Sequence, residues 1–357
     1  MKKICILSAV NIRHMSMISL YTEKLKRDSI DFDIIYMDKY GEEEDFPAKN
    51  KYIFKNIINP NDNKLRKACQ YFKFKNFAIP ILEKNKYDLI IVWNDVAIFM
   101  FANYLAHKWK GKYCLNIRDY CYQKNPLVYM RFKKVINNSL FSTISSDGYR
   151  TFLPPYKYLH VHSLNKKVLA NITPRNSYQN IGEPIRITFI GSVRYFEMNK
   201  KLLDIFKNDE RFKLQFCGTN AKVLEEYAIK NSINNTYFHD TFQVSKTADF
   251  IEKTDLVNNL YGSGSIGLDT ALSIKLYYGI FYRTPILVLP NTYMAEIVQE
   301  YDIGYVVESI SSKLPDEIFG WYRGSDFDVF NSNCEELLKK INCDNEKFEL
   351  VYQKFFK

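Results

Sequence analysis

The sequence predicts an α/β protein built from two Rossmann-like domains, and three observations carry that prediction. Short, near-continuous apolar runs alternate with segments of helical period, the pattern of a parallel sheet covered on both faces. The alternation stops in a stretch of Asn, Pro, Ser and Gly without periodicity, then starts again. The chain, at 357 residues, is also longer than one hydrophobic core usually serves.

In the first half, Ile4 to Val10 reads as a buried strand, followed by a polar loop from Asn11 to Ser16 and a helix to about Arg27. Phe32 to Met37 repeats the strand signal. Tyr87 to Trp93 (YDLIIVW) and Tyr113 to Ile117 are further strands, separated by a helix from Val96 to Trp109. Phe141 to Ser145 and Leu159 to Val161 are short later strands. The unpatterned stretch after them sets the expected boundaries: a first domain at 1–172, a linker at 173–184, a second domain at 185–333 and a charged C-terminal helix at 334–357.

The pattern restarts at Arg186 to Ile190, a strand ending in Gly191, with a helix from Lys200 to Phe206. Phe212 to Cys217 is a strand ending in Gly218, Ala221 to Lys230 a helix, Thr236 to His239 a strand, Val244 to Lys253 a helix and Leu256 to Tyr261 a strand. Residues 268–307 then run helix, short apolar strand (Ile286 to Leu289), polar loop (Asn291, Thr292, Tyr293), helix and a last strand at Gly304 to Val307. Loops at the ends of the strands of such sheets are where ligands sit.

Apolar content of 46% and charged content of 25% are those of an ordinary globular protein, while the aromatic content of 16% is high. No apolar run reaches the roughly 20 residues that span a bilayer. The opening MKKICILSAV has a short apolar run without a small-residue cleavage site, so it fits a first strand better than a signal peptide, and a cytoplasmic protein is expected. Seven cysteines without CxxC or Cys/His ligand spacing argue against disulfides and zinc. The net charge of +10 is divided unevenly, +15 over residues 1–180 and −5 over 181–357. A basic half implies an anionic partner, either a lipid surface, a phosphorylated substrate or nucleic acid, unless it is simply solubility charge. No recognised nucleic-acid module accompanies it.

The residues FIGSVR at 189–194, FCGTN at 216–220, DLVNNLY at 255–261, SIKLYYGIFYRTPILV at 273–288 and NTYMAEIV at 291–298 resemble the C-terminal domain of GT-B glycosyltransferases. The kinship is with the group 1, family 4-like enzymes of bacterial capsule and O-antigen assembly. IRDY at 117–120 and TISSDGYRTFLPPYKYLHVHSLN at 143–165 look like the acceptor domain of the same group. The resemblance covers nearly the whole chain. It implies a GT-B architecture: two Rossmann-like domains facing across a cleft, with the C-terminal helix packing back on the first domain.

A nucleotide-sugar donor brings a diphosphate, which asks for cations and helix N-termini. Lys275 matches the family's lysine facing the diphosphate, and Arg194 lies where the family places a second cation; each is otherwise a solvated surface charge. Gly191 and Gly218 end strands where backbone approaches either ligand or sheet. The family's equivalent of the Asn291–Tyr293 loop lies beside phosphate or sugar, which makes Thr292 a donor contact. Glu296 either holds a sugar or ribose hydroxyl or complements its helix dipole. The two glutamates that many retaining members carry fall, in register, on Thr270 and Tyr278, so neither carboxylate is present.

An inverting reaction needs a general base at the acceptor. His14, in the loop after the first strand, stands where several inverting GT-B enzymes supply a histidine. Asp119 either orients His14 or is itself the base, and Arg118 either clamps an acceptor phosphate or pairs with Asp119. His162 reads as structural, and His107 and His160 as structural or exposed. The segments Lys64–Phe77 and Tyr129–Lys134 mix cations with aromatics, as suits an anionic bilayer interface, or are amphipathic helices with aromatics in the core. The expected function is metal-independent transfer of a sugar from a nucleotide-diphosphate sugar to a lipid-linked (polyprenyl diphosphate) oligosaccharide in surface-polysaccharide assembly. It takes place at the inner face of the membrane, with no cofactor beyond that co-substrate and no nucleic-acid partner. The alternatives are a non-catalytic GT-B-like partner of another transferase and, last, a nucleotide-sugar epimerase.

Overall fold

A computed structural model gives the protein's structure for residues 2–15, 17–42, 44–57, 64–178, 183–261 and 263–357. The chain divides into two compact units, residues 1–162 with 344–357, and residues 163–343.

The first unit is a parallel sheet of β1 (Ile4–Ser8), β2 (Phe32–Asp38), β3 (Lys51–Lys55), β4 (Leu89–Trp93), β5 (Tyr113–Ile117), β6 (Phe141–Ile144) and β7 (Leu159–His160). Its strand order is β3-β2-β1-β4-β5-β6-β7. The central strands β1, β4 and β5 are buried at every position, which is why they read as apolar runs broken only by Ser8 and Asn116. β3 (KYIFK) is an edge strand, half-exposed along its length, and carries no such run. Asn94 starts the helix Asp95–Lys108 by accepting from the Ala97 N–H at 2.9 Å. Asn125 and Pro126 start the helix Pro126–Asn137 in the same manner.

The C-terminal helix begins at Phe327 rather than at 334 because Asp326 caps it, accepting from the N–H groups of Asp328 and Val329 at 2.8 and 3.1 Å. Its last turns belong to the first unit: Phe348, Tyr352 and Phe356 are buried against Tyr21, Trp93 and Phe141, and Glu349 pairs with Lys24 and Arg27.

The second unit is a parallel sheet of β8 (Ile185–Ile190), β9 (Phe212–Cys217), β10 (Thr236–His239), β11 (Leu256–Asn259), β12 (Ile286–Val288) and β13 (Gly304–Val306), in the order β10-β9-β8-β11-β12-β13. Residues 163–178, of which 163–172 were expected in the first domain, pack on this unit. Val168 is buried with Ile190, Ile251, Tyr278 and Tyr282, and Arg175 donates to the Thr254 carbonyl at 2.8 Å. The middle of the expected linker, 179–182, lies outside the described residues. The helix expected after Leu268 is two pieces, Ile266–Thr270 and Ile274–Tyr282, because the chain turns extended at Ala271 and Ser273 caps a new start. None of the described helices is long and apolar enough to cross a membrane. All seven cysteines are free thiols.

Candidate functional site

Both sheets wind outward in two directions from a central pair of strands, and the crevice at the carboxyl ends of that pair is where such sheets bind ligands. The pair is β1 and β4 in the first unit and β8 and β11 in the second.

In the second unit this position holds a cavity of about 360 Å³. Gly191 and Ser192 reach it from the end of β8, Asn259 and Tyr261 from β11, Ser273 and Lys275 from the following helix, and Thr292 and Met294 from the start of the helix Tyr293–Glu300. Lys275 is only 7% exposed, and its ammonium stands 4.2 Å from the Phe189 ring centre and 4.6 Å from that of Tyr261. Burial, and then the neighbouring Arg194 charge, pull its pKa from 10.5 to about 7. An anion entering the cavity would favour the lysine's charged form. The Asn259 side-chain oxygen is buried with no hydrogen-bond partner among the described residues. Such an acceptor is costly unless a ligand donor meets it.

Among the expected donor residues, Gly191, Lys275 and Thr292 line this one cavity. Arg194 is exposed beside it, its loop held by the Asn199 side chain donating to the Arg194 carbonyl at 2.7 Å. The Thr292 hydroxyl is fully engaged as a helix cap, donating to the Leu289 carbonyl at 3.0 Å and accepting from the Ala295 N–H at 3.1 Å. Thr292 thus gives the cavity the position of the helix N-terminus. Glu296 is exposed in the first turn and does not line the cavity. Gly218 does not line it either. With φ at +144° it lies so close to Gly191 that an added Cβ would stand 1.9 Å from the Gly191 carbonyl oxygen, so its role is to let two strand-end loops touch. Thr270 and Tyr278 are buried, Thr270 donating to the Ile266 carbonyl and Tyr278 packing in the Val168 cluster.

In the first unit, His14 ends a short turn after β1, exposed, with its ring 5.1 Å from Tyr40. Arg13 Nε donates to His14 Nε2 at 3.2 Å, and burial and the Arg13 charge lower the imidazole pKa. The loop is fixed from outside by Glu44, whose carboxylate accepts from the Ile12 and Arg13 N–H groups, and by Asn11 donating to Asp38. Asp119 comes just after β5, two strands from β1, and no hydrogen bond or ion pair joins it to His14 among the described residues. Its carboxylate accepts instead from the Tyr120 N–H at 2.7 Å.

Asp95, which the sequence did not single out, stands just past β4 on the other side of this switch point. It is 4% exposed, and one oxygen accepts from the N–H groups of Arg118 and Asp119 at 3.1 and 3.0 Å. Burial raises its pKa to about 8. Arg118 is partly buried, with its carbonyl accepting from the Tyr149 hydroxyl at 2.7 Å.

No known protein-family model matches the chain, and no curated protein is similar to it in sequence. Solved structures resemble it over its whole length. Sucrose-phosphate synthase from Thermosynechococcus elongatus gives a TM-score of 0.72 at 11% identity, over 100% of this chain and 99% of the synthase. A glycosyltransferase from Rickettsia africae gives 0.67 at 12% identity, over 100% and 99%. HepE from Anabaena in complex with UDP gives 0.66 at 11% identity, over 99% and 100%. At such identities the likeness is one of fold, and with two doubly wound parallel sheets matched end to end, the chain has the GT-B fold.

Proposed function

We propose that the protein is a glycosyltransferase whose second unit holds a nucleotide-diphosphate sugar and whose first unit takes the acceptor. The observation that carries this reading is Lys275, a cation buried in a cavity at the switch point, close to a helix N-terminus and with no ion pair among the described residues. Lys275 and Arg194 neutralise the diphosphate and the pyrophosphate charge that develops as the sugar leaves, so no metal is required at that step. Gly191 leaves room for the ligand, and Asn259 accepts from a sugar or ribose hydroxyl, taking up part of the role that the absent glutamates would have. Thr292 sets the helix N-terminus, with Glu296 at its rim. His14, held toward its neutral form, removes the acceptor proton, and Asp119 and Arg118 flank the acceptor.

The acceptor is proposed to be a lipid-linked oligosaccharide at the inner face of an anionic bilayer. Support comes from the helix Pro126–Asn137, where Leu127 and Met130 are 79% and 59% exposed beside Arg131, Lys133 and Lys134 along an apolar groove. The other basic-aromatic segment supports it less: Phe74 is buried against Phe54 and Phe101, and the side chains of Lys64, Arg66 and Lys67 lie outside the described residues.

The decisive experiment is a thermal-shift panel of nucleoside diphosphates and nucleotide sugars, because a ligand of the native state raises the melting temperature with its concentration. Folded Lys275→Ala and Arg194→Ala proteins that bind UDP or GDP as tightly as the parent would overturn the donor site. A non-catalytic partner of another transferase is the second reading, motivated by the buried Thr270 and Tyr278 in place of carboxylates. The absence of nucleotide binding, with co-purification of a second transferase, would favour it.

A further inference from the structure

His160 and His162 alternate on one face at the end of β7, and their rings stack with centres 3.9 Å apart and planes at 27°. Both side chains are nearly out of reach of water, 5% and 4% exposed. His160 Nδ1 stands 2.9 Å from the Asp147 carboxylate, which fixes the ring and leaves the lone pair on Nε2. That Nε2 is buried and has no hydrogen-bond partner among the described residues. His162 Nε2 stands 3.2 Å from Asp344 of the C-terminal helix. Two stacked imidazoles with two carboxylates form more polar chemistry than packing alone calls for, and none of it serves the glycosyl-transfer reading.

We propose that His160, His162 and Asp344 form a binding site for a divalent transition metal of the zinc type. One ligand atom from each lies within 4.8 Å of the other two. Bonds of about 2.0–2.2 Å in tetrahedral geometry need ligand atoms about 3.3 Å apart. The His162–Asp344 pair already has that spacing; the His160 ring, stacked on His162, must turn out of the stack about its hydrogen bond to Asp147 until its Nε2 lone pair points at the ion. The metal replaces the proton shared between His162 and Asp344, which is released to solvent. Asp147 supplies the outer carboxylate that metal-bound histidines use to set tautomer and orientation. Two neutral imidazoles and one carboxylate leave a single positive charge on the loaded site, which Asp147 offsets while Arg150 and Lys347 add positive charge at its solvent-facing rim. Arg150 and Lys347 hold the remaining oxygens of Asp147 and Asp344 at 2.7 and 2.8 Å. All three ligands belong to the first unit, and Asp344 begins the part of the C-terminal helix that returns to it. A bound ion would therefore fasten that helix to the end of β7, a structural role.

The test uses the full chain stripped with a chelator and titrated with zinc, followed by calorimetry and metal analysis. One equivalent is expected to bind, with a melting temperature higher by several degrees. His160→Gln and Asp344→Asn should each abolish this binding, and Asp147→Asn should weaken it 10- to 100-fold. No stoichiometric binding, or binding that survives His160→Gln and Asp344→Asn but is lost on Cys343→Ser, overturns the proposal. If the ligand variants do not fold, cobalt titration of the parent decides. Visible bands of nitrogen and oxygen ligation support the site; thiolate charge-transfer absorption, or no bands at all, overturns it.

Discussion

At the second sheet's switch point a lysine is buried between two aromatic rings at a cavity, while at the first sheet's the titratable groups include an exposed histidine and a buried acid. The first six strands take the same order in both units. The two units differ in the helices and loops attached to the strand ends. In the second unit the helix after β11 brings a cation back under the strand ends; in the first, the helix after β4 starts with Asp95. One fold thus places a buried cation at one switch point, and an exposed imidazole and a buried carboxyl at the other. Burial sets the two lysine and aspartate pKa values toward neutrality from opposite sides, since desolvation disfavours whichever form is charged.

The largest effect is expected at His14. His14→Ala should lower sugar transfer by about 10²- to 10⁴-fold, the range for loss of a general base, with UDP binding unchanged. Steady-state rates beside calorimetric affinities would check it. Full activity in the variant would mean that the first switch point does not supply the base.

Lys275→Met probes the other side. Nucleotide binding should weaken by about 10²-fold, as expected on losing a charge-assisted contact of about 2–3 kcal/mol. The unliganded protein should become more stable, because the folded lysine titrates near 7 and the unfolded one near 10.5. Between those values the unfolded chain binds more protons, so parent stability rises with pH, and the penalty, on the order of a few kcal/mol, is fully present below pH 7. Melting of both proteins at pH 6 and 9 should show a gap that narrows at the higher pH. In the parent, affinity for a UDP-sugar, whose diphosphate has no group titrating near neutrality, should be flat below pH 7 and fall by up to about tenfold per unit above it, because binding then takes up a proton.

The strand pattern was legible because β1, β4 and β5 are buried on both faces and are apolar but for Ser8 and Asn116. β3 was not, since this half-exposed edge strand has only three apolar residues between two lysines. Lys275 could be found because the resemblance places a lysine at that helical position, and His14 because it lies in the loop after the first strand, where related enzymes carry a histidine. Asn259 was hidden inside an ordinary strand, NNLY, where only the register decides which amide faces the crevice. Asp95 was hidden because its burial comes from the loop at Arg118 and Asp119 folding over it, a contact 23 residues away along the chain. Gly218 was legible as a constrained glycine, but not as one constrained by Gly191.

Asn259→Ala should weaken nucleotide-sugar binding about 2- to 10-fold, the worth of one neutral hydrogen bond. Isothermal titration with UDP and with a UDP-sugar would show whether its acceptor serves ribose, in which case both weaken, or sugar, in which case only the second does.

The smallest effect on activity should come from Asp95→Asn. At pH 7 a carboxyl with a pKa near 8 is mostly protonated, so an amide differs from it little in charge, and its oxygen can still accept from the Arg118 and Asp119 N–H groups. Transfer should stay within about threefold of the parent if Asp95 only holds that loop. Stability gives the independent reading. The folded aspartate keeps its proton up to about pH 8 and the unfolded one releases it near 3.8. In that window the folded state binds more protons, so the parent loses stability as pH rises from 4 to 8. The asparagine variant has no such loss and should melt higher relative to the parent at pH 8 than at pH 4. A parent-like pH dependence in the variant would show that Asp95 is ionised in the folded protein, and the likeness drawn between the two buried groups would fail.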